Sequence, residues 1–225
     1  ATHAMLDVLS KPAFSRFIGR IAQAEVPTWL LRAVIDRYVA IYDVDLTDMR
    51  DPIDSFSSFD DFFGRLLKPE ARPIDGRANV VVSPVDGKVL NFGRVSDGRI
   101  DQVKGRSYSL SELLGSETDA AQFADGHYIT IYLSPRDYHR IHSPVDGKIT
   151  RYRYIPGRLF PVNRLGVGNI DRLFAVNERL TTHITSALGD FAVVKVGATN
   201  VGMISVSYHE IRTNTGQKTA YDEKL

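Results

Sequence analysis

The hexapeptide SPVDGK at residues 83–88 recurs unchanged at residues 143–148, and each copy runs into a β-branched residue, Val89 or Ile149. Pro-x-Asp-Gly is a turn tetrad: proline fixes φ, aspartate bonds its own backbone, and glycine supplies φ > 0. Each copy therefore reads as a turn between strands. An exact repeat of such a turn points to a duplicated β core.

The surroundings support this. After EARPID (70–75), short β-branched runs are broken by Gly, Pro and Asp, the pattern of strands. NVVVSP, GKVLNFGRV, HYITIYLSP, GKITRYRYIPG, RLTTHITSA, FAVVKVGAT and VGMISVSY are the predicted strands. In ALGDFAV, Gly189 and Asp190 are the expected turn of a hairpin. YSLSELLGS reads as a short helix capped by Ser109.

The first 70 residues follow a helical period instead. Phe14, Phe17, Ile18 and Ile21 recur at helical spacing, with Arg16, Arg20 and Gln23 elsewhere on the wheel and Ser10 and Pro12 marking a start. A second stripe holds Leu31, Val34, Ile35, Tyr38 and Tyr42. A third segment, SSFDDFFGRLL, opens with Ser58 and Asp61 at capping-box spacing and carries Phe59, Phe62, Phe63 and Leu66. The expectation is an α+β fold: N-terminal helices (1–70) packed on a mostly antiparallel, duplicated β-sandwich or barrel core (71–225).

Composition narrows the function classes. The chain has 225 residues, 43% hydrophobic and 24% charged, with a formal net charge of +1. No overall basic field and no reading motif argue for nucleic acid. Without cysteine there is no disulfide, iron–sulfur cluster or thiolate zinc site. No run approaches the ~18 apolar residues of a spanning helix, and ATHAMLDVLSK lacks the character of a signal peptide, so a cytosolic address is expected.

Chemistry concentrates in YLSPRDYHRIHSPVDG (132–147), where Arg136, Asp137, Tyr138, His139, Arg140 and His142 crowd together. On a helical turn the two histidines share a face; in an extended segment they point apart. Either imidazole can serve as general acid or base near neutral pH. No His-Glu-x-x-His is present, so no metal is assigned. An aspartate from an SPVDGK turn could orient a histidine, but no nucleophile in a recognisable elbow completes a triad.

Taken in order, SPVDGKV, KGRSYSLSELL, YLSPRDYHRIHSPVDG, GRLFPVN, LFAVNERL and VGATNVGMI resemble the blocks of bacterial-type phosphatidylserine decarboxylases. FSSFDDFFGRLLKPEARPID extends the resemblance into the helical region. It implies a pyruvoyl enzyme that decarboxylates phosphatidylserine to phosphatidylethanolamine. In that family a serine attacks the preceding peptide bond of a proenzyme, and the cleavage leaves a covalent pyruvoyl group on a small α chain.

By resemblance, Asp86 and His142 form the charge relay of self-processing, and His139 assists decarboxylation and protonation. The Leu-Gly-Ser-Thr of the family does not occur in this sequence. The chain is therefore expected to be the large β subunit, its pyruvoyl serine on the α subunit of the same precursor, with αβ units forming a homo-oligomer. A lipid substrate implies peripheral attachment at the cytoplasmic face of a bacterial membrane, with Phe14, Phe17, Ile18, Trp29 and Leu30 as candidate lipid contacts. Asp146 stays a turn residue. Two other readings compete: a phosphocarrier-type duplicated β domain using His142 or His127, and an inactive lipid-binding relative.

Overall fold

The computed structural model describes residues 10–103 and 106–225; the opening residues and the Lys-Gly of KGRSYSLSELL lie outside the described residues. The chain divides into two compact units interleaved in sequence. One gathers residues up to 18, 89–130 and 147–225; the other gathers 19–88 and 131–146.

The second unit is built on helices. Helix α1 (Pro12–Ala22) starts in the first unit, with residues 12–18, and ends in the second; it carries proline at its first position, where the missing N–H costs nothing. Helix α2 (Thr28–Tyr42) buries Leu31 and Ile35, one turn apart. These pack with Phe56 and Phe62, flanked by Tyr38, Val39 and Phe59, into one apolar cluster. Burial of each such side chain contributes about 1.5–3 kcal/mol. Val34 and Tyr42, expected on the same stripe, are exposed.

Helix α3 (Phe59–Phe63) is capped by Ser58, which accepts the Asp61 N–H at 3.2 Å. The Asp61 carboxylate accepts from the N–H of Ser57 at 3.3 Å, so the expected capping box closes one residue early. Gly64 ends the helix, donating its N–H to the carbonyl of Asp60.

The other unit carries most of the sheet structure. Strand β1 (Lys88–Arg94) pairs with β4 (His127–Tyr132), and β2 (Arg99–Val103) pairs antiparallel with β3 (Arg106–Ser109). Helices α4 (Leu110–Leu114) and α5 (Glu117–Gln122) follow. As expected, α4 is capped by Ser109, and Glu112 completes a capping box. Strands β5 (Lys148–Ile155), β6 (Arg179–Ser186), β7 (Gly189–Val196) and β8 (Tyr221–Lys224) form an antiparallel sheet in the order β7-β6-β5-β8. Short helices α6 (Arg164–Asn169) and α7 (Leu173–Val176) join β5 to β6. The fold is α+β with antiparallel sheets, and among the described residues the sheets stay open, with no closed barrel.

Local readings shift in three places. The β6–β7 hairpin forms, but Ser186 pairs with Gly189, so Ala187 and Leu188 make the tip. Gly189 instead opens β7 at φ +111°, a conformation that favours glycine. NVVVSP is irregular: the Val82 N–H reaches the Pro144 carbonyl at 2.9 Å, and Pro84 has no N–H to continue a ladder. VGMISVSY forms only isolated bridges, because the Ile204 N–H is taken by the Thr213 hydroxyl at 2.8 Å.

Both SPVDGK copies fold into the same local structure. The Ser83 hydroxyl donates to the Val85 carbonyl, and the Ser143 hydroxyl donates to the Val145 carbonyl, each at 2.7 Å. A Cβ on Gly87 would lie 2.6 Å from the Tyr132 carbonyl oxygen and 2.9 Å from a methyl of Ile131. On Gly147 it would meet the Thr185 oxygen and an Ile184 methyl at those same distances. The glycine is therefore set by close approach to a neighbouring strand, once in each unit.

Candidate active site

Asp86 and the segment 131–146 fall within one compact unit. Two backbone bonds tie the first SPVDGK to the chain just after the histidines. His142 N–H donates to the Pro84 carbonyl at 2.8 Å, and Val82 N–H donates to Pro144. Asp86 is thereby brought into the neighbourhood of His142.

The carboxylate of Asp86 is held by arginine. Arg72 Nε lies 2.9 Å from both oxygens and Nη2 lies 2.5 Å from Oδ2, while Nη1 reaches Asp48 at 2.8 Å. Donating to two carboxylates raises the Arg72 pKa above its ordinary value. No hydrogen bond joins Asp86 to His142 among the described residues. His142 Nε2 instead sits 3.1 Å from the Tyr138 hydroxyl, with the two rings stacked 5.6 Å apart. The His142 side is exposed, whereas Tyr138 is buried.

His139 faces a different environment. Its Nδ1 lies 2.8 Å from the Asp137 carbonyl oxygen, an atom that can only accept, so Nδ1 carries the proton and Nε2 keeps a lone pair. The Phe63 ring packs 4.1 Å from the imidazole. Burial lowers the His139 pKa below the ordinary histidine value, against the opposing pull of the Asp137 carbonyl and carboxylate. His139 is thus a neutral base near pH 7.

The segment between strand and second turn is irregular, so the histidines do not share a helical face. Its shape comes from local bonds and from the helices. Ser134 donates its N–H and hydroxyl to Asp137 Oδ2 at 2.6 and 2.7 Å, closing a tight turn. Tyr38 of α2 donates to the Pro135 carbonyl at 2.5 Å, and Arg140 Nε donates to Gly64 at 2.7 Å. Arg65 is buried, lies 5.3 Å over the Phe62 ring and donates to the Arg136 carbonyl at 3.3 Å. A cavity of about 270 Å³ adjoins this machinery, lined by Arg65, Arg72, Asp86, Arg136, Asp137 and Tyr138 among others.

Sequence reasoning did not give roles to Arg72, Tyr138, Phe63 or Arg65. Arg72 stood in the EARPID stretch that marked a change of character, and Phe63 on a helical stripe. Nothing in their spacing announced which histidine or aspartate each would meet.

A family model for phosphatidylserine decarboxylase matches residues 59–221. The phosphatidylserine decarboxylase proenzyme of Brevibacillus brevis is 48% identical over 223 residues, covering 98% of this chain and 78% of that protein. Proenzymes of the same name from Myxococcus xanthus and Acidovorax ebreus are 46% and 45% identical, over 95% and 96% of this chain and 76% of each relative. The chain belongs to the phosphatidylserine decarboxylase family.

The family match spans both SPVDGK copies and the histidine segment and ends at Tyr221, the first residue of β8. Asp146, the aspartate of the second copy, is exposed, and His127 is exposed at the start of β4. Of the candidate lipid contacts, Phe17, Trp29 and Leu30 are exposed, Trp29 at 73%, while Phe14 and Ile18 are partly buried. No helix among the described residues is long and apolar enough to cross a membrane.

Proposed function

We propose that this chain is the β subunit of a pyruvoyl-dependent decarboxylase that converts phosphatidylserine to phosphatidylethanolamine. The observation that carries the reading is the histidine segment: a neutral His139 against Phe63 and a tyrosine-bonded His142, in the same unit as the arginine-held Asp86. A pyruvoyl group on the companion α chain supplies the ketone that takes the substrate amine and acts as the sink for the electrons released with CO₂.

The residues here fit that chemistry. His139 Nε2 offers a lone pair beside an apolar ring, the setting needed to hold and return the proton that replaces CO₂ at the substrate carbon. His142 takes a proton from the precursor serine during self-processing, and Asp86 stabilises the charged imidazole from its place beside the Pro84–His142 backbone bond. Arg72 holds the Asp86 carboxylate in place for that role.

The partners in this reading are the small α subunit from the same precursor, further αβ units, and a membrane surface. Exposed apolar side chains on α1 and α2, Phe17, Ile21, Trp29, Leu30, Val34 and Ile41, support docking at a bilayer. Docking would place the enzyme at the cytoplasmic face of a bacterial membrane.

The test is the intact mass of protein made from the full precursor. The expected result is this chain with a short companion whose N-terminus is blocked and reducible by borohydride. His142→Ala should leave the precursor whole, whereas His139→Ala should allow some cleavage and lose decarboxylation. A fully active His139→Ala enzyme, or an active enzyme with no blocked companion, overturns the reading.

A further inference from the structure

His142 is fixed at two points, one on its backbone and one on its ring. Its N–H is bonded to the Pro84 carbonyl at 2.8 Å. The side chain is exposed on an irregular segment, where it would otherwise be free to change rotamer. Among the described residues the ring has one hydrogen-bond partner, the Tyr138 hydroxyl, 3.1 Å from Nε2. The two rings are stacked, tilted by only 20° with centroids 5.6 Å apart.

Asp86 does not hold this ring. Its oxygens are taken by Arg72 Nε and Nη2 at 2.5 to 2.9 Å, so it acts on the imidazole through charge. Tyr138 is buried, and burial raises its pKa above the ordinary value, only partly opposed by Arg140. The hydroxyl is therefore neutral and can either donate to Nε2 or accept from it. If it donates, the neutral ring carries its proton on Nδ1 and has no lone pair to spare. If it accepts, the proton sits on Nε2 and Nδ1 is a free base.

On the reading of His142 as the processing base, we propose that Tyr138 is its positioning residue, the hydroxyl oxygen accepting Nε2–H so that Nδ1 presents the lone pair. As the precursor serine oxygen adds to the neighbouring carbonyl, its O–H bond breaks and the proton passes to Nδ1. The Nε2–H stays on Tyr138 throughout, and Asp86 stabilises the positive charge that results. The stacked phenol keeps the ring from turning Nδ1 away.

Nitrogen-15 NMR of the histidine-labelled mature enzyme, at alkaline pH where the imidazole is neutral, reads the His142 tautomer. The expected spectrum has Nε2 protonated and Nδ1 bare. Tyr138→Phe keeps the stacked ring and removes only the oxygen, so the two tautomers should mix. Cleavage of the full precursor carrying Tyr138→Phe should slow by roughly ten- to hundredfold, the range for a hydrogen bond to a charged group.

A tyrosine that merely packs would leave both readouts unchanged. His139 reports folding in the same spectra, because its Nδ1 stays protonated against the Asp137 carbonyl wherever the segment is intact. Should Tyr138→Phe not fold, the tautomer of the unsubstituted enzyme decides by itself. A neutral His142 ring protonated on Nδ1, or a folded Tyr138→Phe precursor that cleaves at the unsubstituted rate, overturns the role of Tyr138. An unsubstituted precursor that never cleaves overturns His142 as the processing base, and the role of Tyr138 with it.

Discussion

The two SPVDGK copies are identical in sequence and in local structure, yet their aspartates stand in different surroundings. In both, serine caps the turn and glycine presses against a neighbouring strand at the same distances. Asp86 is gripped by Arg72, next to Asp48 and a cavity, and its turn is bonded to the His142 backbone. Asp146 is simply exposed. The hexapeptide specifies a turn; whether its carboxylate does chemistry depends on what the rest of the chain brings to it.

The sharpest way to break the comparison is to remove one charge at a time. Asp86→Asn in the full precursor is expected to block cleavage, or to slow it by about 10²-fold or more, as loss of the orienting acid does in relay sites. Asp146→Asn should cleave within about twofold of the unsubstituted precursor. Gel analysis of precursor and product over time reads both. Equal defects in the two variants would mean that both aspartates act only as turn residues.

The glycines should behave in the opposite way, as equals. Ala at 87 or at 147 places a Cβ 2.6 Å from a backbone oxygen, where no flexible side chain can yield. Each substitution is expected to cost about 1–3 kcal/mol, measured by chemical denaturation. A cost at one position alone would break the local equivalence of the turns. Gly87→Ala should also depress processing, because it shifts the turn that carries Asp86.

These turns also mark how far the sequence could be read. The Ser109 cap and the β5, β6 and β7 strands are local signals, and the structure has them; both Pro-x-Asp-Gly stretches bend as well, but Gly87 and Gly147 are not at positive φ and the serine hydroxyls supply the local bonds. β8 was not legible: YDEK becomes a strand only through Asp222 meeting Arg151 and Arg153, and Glu223 meeting Tyr152, some 70 positions away. The same holds for the site. DYHRIH showed two histidines, but the difference between them is made by Phe63 and Tyr138, and the difference between the aspartates by Arg72. Such pairings are tertiary, and residue spacing carries no record of them.

A smaller effect separates the histidines near each turn. His183 lies on β6, close to the Ile184–Thr185 pair that Gly147 touches, and it is buried with its Nε2 3.7 Å from Asp119. Burial, reinforced by Arg151, lowers its pKa to about 4 against an ordinary 6.5, and Asp119 only partly opposes this. Above pH 6.5 the ring is neutral folded or unfolded, so it adds no pH dependence. Between 6.5 and about 4 the unfolded chain binds a proton that the folded chain does not, so stability falls as pH falls. The slope from this group is at most about 1.4 kcal/mol per pH unit. His183→Gln should remove that part of the slope in denaturation curves taken across this window. An unchanged slope would mean that His183 is solvated and charges normally.

His139 offers the finest distinction, because its lowered pKa has a removable cause. The Phe63 ring covers the imidazole at 4.1 Å, and burial is the largest influence on its titration. Phe63→Ala admits water to that face and leaves the Nδ1–Asp137 bond in place, so the neutral ring loses its advantage and the pKa should rise toward 6.5. The expected change is an upward one, followed through the His139 ring protons by NMR. If His139 governs proton return, the acid limb of the decarboxylation rate should shift upward by the same amount in Phe63→Ala. A shifted resonance with an unshifted rate profile would leave His139 as a buried neighbour of the chemistry, and the proton would have to return from another group.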